Sequence, residues 1–149
     1  MADIYALKNR YVAINGARPT SEEILSSIES KLGLNIPPEF RDIAKIFDGS
    51  GFTVMSLHSL AGNAPTMNPI HETLRLRKAI GLPLNWLVLG EPPESLLLMD
   101  CANLGKVLWI DAIDATRIAS NSFSKQPDSW TSFGDFFEYL LNEEEEDRA

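Results

Sequence analysis

Few residues in this chain combine the type and the spacing that chemistry needs. The two histidines, His58 and His71, are separated by a dozen residues, and neither has a cysteine or carboxylate at ligand spacing, so no metal site is expected. Cys101 is the one cysteine of the chain. It cannot form an internal disulfide, nothing beside it in sequence would activate a thiolate, and it reads as buried or inert. Asp100, Asp111 and Asp114 fall at the ends of apolar runs, where a carboxylate cluster could form; general acid–base work would need two such groups held close. Turns at strand ends account for the same aspartates more simply. Trp86, Trp109 and Trp130 could line a ligand groove, although aromatics on apolar strands are more often core residues. The chain has no nucleophile elbow, zinc-protease motif, phosphate loop or dinucleotide fingerprint. No catalytic residue, metal or cofactor is assigned, and the profile points to binding.

Charge indicates what would be bound. The formal charge is −8, unevenly spread: +1 over residues 1–81, −5 over 82–142 and −4 over 143–149. The last segment reads as a frayed, solvated helix end. An acidic balance argues against direct binding of nucleic acid, whose phosphates require Lys and Arg, and favours a basic partner. Glu91, Glu94, Asp111 and Asp114 lie beside turns rather than within apolar runs, and form the expected contact surface.

The elements that must position these groups are legible in the periodicity. A length of 149 residues suits one domain able to bury about two-thirds of its unfolded surface. No apolar run approaches a membrane span, and the N-terminus lacks a secretory pattern, so the expected location is cytoplasmic. In residues 20–49, Thr20 and Glu23 form a capping box; Ile24, Leu25, Ile28 and Leu32 make one apolar stripe, ended by Gly33. Pro37 and Pro38 open a second helix carrying Phe40, Ile43 and Phe47, ended by Asp48 and Gly49. Residues 52–57 read as a strand, 58–67 as a loop, and Asn68-Pro69 as the start of a helix with Ile70, Leu74, Leu76 and Ile80 inward and Arg75, Arg77 and Lys78 in water. Apolar runs at 86–89, 95–99 and 107–110 read as central strands of a meander, because the connectors are short and turn-rich. An edge strand is expected around Ile118, a polar loop over 121–129, and a last helix with Phe133, Phe136, Phe137, Leu140 and Leu141 on one face.

This order resembles the SMI1/KNR4 family, also called the SUKH superfamily. Glu29, Leu32, Gly33, Ile36, Pro37, Phe40 and Gly49 match its opening pattern, with Ile36 for the usual Leu and Asp48 for the usual Asn. The Trp86 strand ending in Gly90, the run ending in Leu98-Met99-Asp100, Gly105-Lys106-Val107 with Trp109, and the Ser132-Phe133 helix are similar to its second half. The fold expected is α+β: a mixed or mainly antiparallel sheet of about four to six strands, covered by an N-terminal helical hairpin and a C-terminal helix. Residues 1–19 read as an extension packed at the edge, 20–142 as the domain and 143–149 as an acidic tail. The resemblance implies a bacterial immunity protein that neutralises a cognate toxin domain, often a nuclease, by stoichiometric occlusion. Its fungal members imply an alternative, a scaffold or regulatory module linked to the cell wall. An enzyme using the aspartates is a third possibility, and the oligomeric state is left open.

Overall fold

The three apolar runs of the second half form the centre of the structure, a computed structural model that describes residues 3–60 and 68–149. Strands β1 (Trp86–Gly90), β2 (Ser95–Asp100) and β3 (Lys106–Asp111) pair antiparallel in chain order, and β4 (Asp128–Trp130) completes a four-stranded meander. The runs are unbroken because both faces of the sheet are covered. Leu87, Leu97, Met99 and Val107 enter the larger core, while Val88, Leu96, Leu98, Leu108 and Ile110 enter a second one with Leu76, Leu82 and Ile118. Successive residues of a strand point to opposite faces, so each run feeds both cores. The α+β class expected from the sequence is the one observed.

Helices α1 (Ile4–Asn15), α2 (Glu22–Leu32), α3 (Pro38–Ile43) and α5 (Phe133–Arg148) supply the rest of the larger core. Its centre is aromatic. Phe40 lies 4.6 Å from Phe133 between ring centroids, and Tyr11, Phe47, Phe52 and Phe137 pack edge to face around them. Leu7 and Tyr11 of α1 are fully buried there, so this segment is part of the core rather than an edge extension. The corner between α2 and α3 is held by Glu29, whose carboxylate accepts from the Ile36 N–H at 2.9 Å and pairs with Arg41 at 2.9 Å. Backbone donation from Ile36 and then Arg41 hold that carboxyl below its ordinary range against the opposing effect of burial.

Several local expectations are corrected. The cap of α2 is Ser21, which accepts from the Ile24 N–H; the Thr20 hydroxyl is buried and donates to the Phe47 carbonyl instead. Residues 52–57 are irregular, because the Thr53 and Val54 N–H groups donate to a side chain, the Glu144 carboxylate, and not to a neighbouring strand. The stretch read as an edge strand is a 3-10 helix, Ala112–Arg117, followed by turns, and Ile118 is buried from there. Part of the polar loop is β4. The Ser132-Phe133 start of the last helix is as expected, with α5 capped by Ser132. The loop reading for 61–67 lies outside the described residues.

Helix α4 (Pro69–Ile80) and the irregular residues 56–58 close the otherwise free edge of β1. The Val88 N–H donates to the Thr73 hydroxyl at 3.0 Å, and the Leu89 carbonyl accepts from the His58 N–H at 2.9 Å. An exposed strand edge invites pairing with other chains, and these two contacts block it. A Cβ on Gly90 would overlap the Ser56 carbonyl oxygen and meet Leu57 Cα at 3.0 Å, so only glycine fits this crossing. The demand for Thr73 and Glu72 on the inner side rotates α4, leaving Leu74 exposed instead of buried. Arg75 is not simply solvated either, since it pairs with Glu72 and Glu91.

Candidate functional site

The four carboxylates chosen from sequence divide into two kinds. Asp114 is buried, 2% exposed, and turned inward, where it accepts from the Ser124 N–H at 3.2 Å and the Ser124 hydroxyl at 2.8 Å. The Ser124 hydroxyl bond comes first among the effects that hold its carboxyl below the ordinary range. It therefore cannot serve as a contact residue, and the correction follows from Ser124, ten positions on, satisfying it. Glu91 pairs with Arg75 at 2.8 Å. Glu94 is exposed in the β1–β2 turn, and Asp111 is half-exposed at the end of β3.

Register brings Asp111 beside a carboxylate that sequence reasoning passed over, Asp128. Ser95 pairs with Asp111 across β2 and β3, and Trp109 pairs with Asp128 across β3 and β4. Trp109 and Asp111 are two apart, so all four side chains share one face at one end of the sheet. The Ala112 N–H donates to the Glu94 carbonyl at 2.9 Å, tying the neighbouring turn to the same end. Ser95, Trp109, Asp111, Lys125 and Asp128 line a groove of about 320 Å³. The side chain of neither Asp111 nor Asp128 makes a hydrogen bond or ion pair among the described residues. Asp128 is close enough that its charge, after burial and Glu143, helps to push the Tyr139 hydroxyl up. The signal for Asp128 was its two-residue distance from Trp130, hidden while residues 121–129 read as loop.

The carboxylate cluster of Asp100, Asp111 and Asp114 does not form. Asp100 pairs with Lys106 in register while Asp111 pairs with Ser95, so the two lie at opposite ends of β2, roughly 17 Å apart at strand rise. Asp100 is engaged locally, accepting from Asn85 at 2.7 Å and from the Ala102 N–H at 3.0 Å. Cys101 is half-buried, and burial, then Asp100, push its thiol up to about 12, which suits the inert reading. Trp130 packs on Phe136 and Tyr139, and Trp86 lies against the second core.

A second group of ionisable residues was not foreseen. His58 is buried, 2% exposed, with neither ring nitrogen hydrogen-bonded, and its Nε2 lies 3.9 Å from Glu91 Oε2. Glu72 and Glu91 are within hydrogen-bonding reach of each other, and Arg75 bridges both. Burial, then the Glu72 charge, push Glu91 up; burial first, with Arg75 adding to it against Glu72, pushes His58 down. A carboxyl pair beside an imidazole could move protons, but the cavity on the His58 side is about 10 Å³ and otherwise lined by apolar groups, room for one water and no substrate. Among the described residues no group of histidine, cysteine or carboxylate side chains is arranged to hold a metal ion. None of the described helices is long and apolar enough to cross a membrane.

An antiparallel meander with a helical hairpin before it, a capped helix after it and an acidic rim defines a small α+β domain of the SUKH type. The chain belongs to the family described as SMI1-KNR4 cell-wall (SUKH_5), which matches residues 2–142. A search of curated proteins found no match.

Proposed function

We propose that this chain is an immunity protein, which binds a cognate toxin domain one to one and covers the surface that the toxin uses on its substrate. The observation that carries this reading is the rim at the end of the sheet, where Glu94, Asp111 and Asp128 have no cation paired to them among the described residues, within a family whose members pair with toxins as a general kind of partner. Nuclease domains hold phosphates with Lys and Arg, so an acidic rim is steered to such a surface and competes with the nucleic acid for it. On this reading Glu91 supports the rim through Arg75 while Glu94, Asp111 and Asp128 make contact. The chain does no catalysis and acts in the cytoplasm, where a nuclease toxin would act.

The test is a toxin gene adjacent to this one. Co-expression should restore growth, and the purified proteins should form a one-to-one complex. Absence of any neighbouring toxin, together with no binding of a basic nuclease domain at micromolar concentration, would end the reading. The family description names the cell wall, which favours a second reading, a non-enzymatic scaffold in wall synthesis. Pull-down from the native host separates the two, since a scaffold would retain wall-synthesis proteins and an immunity protein its toxin.

A further inference from the structure

We infer that the groove between β2, β3 and β4 is a seat for one arginine side chain of the partner, with Trp109 as its stacking wall and Asp111 and Asp128 as its carboxylates. The inference rests on the reading that the partner is basic, and narrows it to the guanidinium group. Three features of the groove select that chemistry. First, its size: about 320 Å³ is at the lower end of ligand-binding cavities, suited to a side chain rather than a nucleotide or a folded segment.

Second, the register places the acids diagonally across the strand pair, with Trp109 directly opposite Asp128 and two residues from Asp111. Diagonal neighbours have Cβ atoms roughly 7 Å apart, too far to share a proton and close enough for one planar cation to reach both. Two like charges at this separation repel one another, and a cation that reaches both relieves the repulsion. None of the described residues does so: Lys125 lines the groove, yet it is paired with neither aspartate. Third, Trp109 is half-buried among Ser95, Asp111 and Asp128, which offers an aromatic surface between two carboxylates. A guanidinium stacks on such a surface and presents several donors in one plane, whereas an ammonium is a compact, strongly hydrated point charge. Three further acids of this half are committed elsewhere: Glu91 to Arg75, Asp100 to Asn85 and Asp114 to Ser124.

The test uses the full chain, labelled with nitrogen-15, titrated with N-acetyl-arginine methylamide, the lysine analogue and the neutral citrulline analogue. The arginine compound should shift the Trp109 indole N–H and the Ser95 and Asp128 amides in a saturable way. The lysine compound should bind several-fold more weakly, and the citrulline compound should leave these signals in place. In D111N/D128N, whose substituted groups make no hydrogen bond among the described residues, affinity should fall about tenfold. Lys125→Ala, which removes a competing cation, should tighten binding about twofold. Shifts scattered over the whole acidic surface, equal response to citrulline, or binding unchanged in D111N/D128N would each overturn the assignment. The outcome is independent of the toxin: a groove that takes arginine stands even if no toxin is found, and a toxin that binds equally to D111N/D128N refutes the groove alone.

Discussion

At the scale of single residues, His58 and Glu94 carry consequences that can be measured. His58 is neutral and buried, and its folded pKa is lowered from 6.5 by burial, so the unfolded chain takes up the proton first. Stability should therefore be full above about pH 6.5 and fall as pH drops below it, down to the lowered folded value. Glu91 acts with the opposite sign: its raised carboxyl means that stability is gained as pH falls through the folded value towards 4.5. Urea unfolding of wild type and His58→Leu between pH 5 and 8 isolates the histidine, since only the wild type should lose the extra stability on the acid side. Parallel curves would mean that His58 is not buried in its neutral form. Glu94 has φ 60, a left-handed backbone that a non-glycine residue adopts at a cost of about 1 kcal/mol. Glu94→Gly should raise stability by about 0.5–1 kcal/mol while weakening the partner complex. A gain in stability with unchanged affinity would remove Glu94 from the contact surface. Neither residue's state was legible in sequence, because the burial of His58 depends on α4 and β1, and Pro92-Pro93 marks a turn without fixing the φ of the residue after it.

At the scale of elements, what sequence revealed and what it hid have separate physical causes. The three central strands and the apolar face of α5 were legible because their stabilisation comes from burial, and burial leaves a period in the side chains. The segment 52–57 misled for the same reason. It has the apolar residues of a strand, but its N–H groups are satisfied by Glu144, some ninety residues away, and no local pattern announces such a partner. Glu144 likewise changes the meaning of the acidic end. It is fully buried, accepts from the Thr53 N–H at 2.7 Å, the Thr53 hydroxyl at 2.8 Å and Arg148 at 2.8 Å, and so the end of α5 is not a frayed tail. Burial alone would push this carboxyl up, but these donors outweigh it and hold it below 4.5. Arg10 of α1 adds a clamp on Glu145. Glu144→Ala would strand two backbone donors and should cost about 3 kcal/mol, whereas Glu146→Ala, on the exposed side, should stay within about 0.5 kcal/mol. Chemical denaturation of the two variants checks this, and equal small effects would restore the frayed-tail picture.

At the scale of the whole molecule, the question is where the net charge acts. Three cations of the first half are answered inside the fold: Lys8 meets Asp42, Arg41 meets Glu22 and Glu29, and Arg10 meets Glu145 of α5. Among the described residues the rim formed by Glu94, Asp111 and Asp128 has no such internal answer, so its field extends into solvent. Exposed fields of this kind act mainly on the rate of encounter and are screened over about 10 Å at 0.1 M salt. With a basic partner the association rate should fall about tenfold or more between 0.02 and 0.5 M salt, while dissociation changes less. Neutralising the rim in E94Q/D111N/D128N should flatten that dependence. The same number of charges removed elsewhere, in E23Q/E146Q/D147N, should leave it nearly intact, because net charge is equal in the two variants and only position differs. Stopped-flow association across salt concentrations distinguishes them. Equal flattening in both would assign steering to net charge and deny the rim a special role; flattening by the rim variant alone would locate recognition at the end of the sheet, where β2, β3 and β4 hold Asp111 and Asp128 beside Trp109.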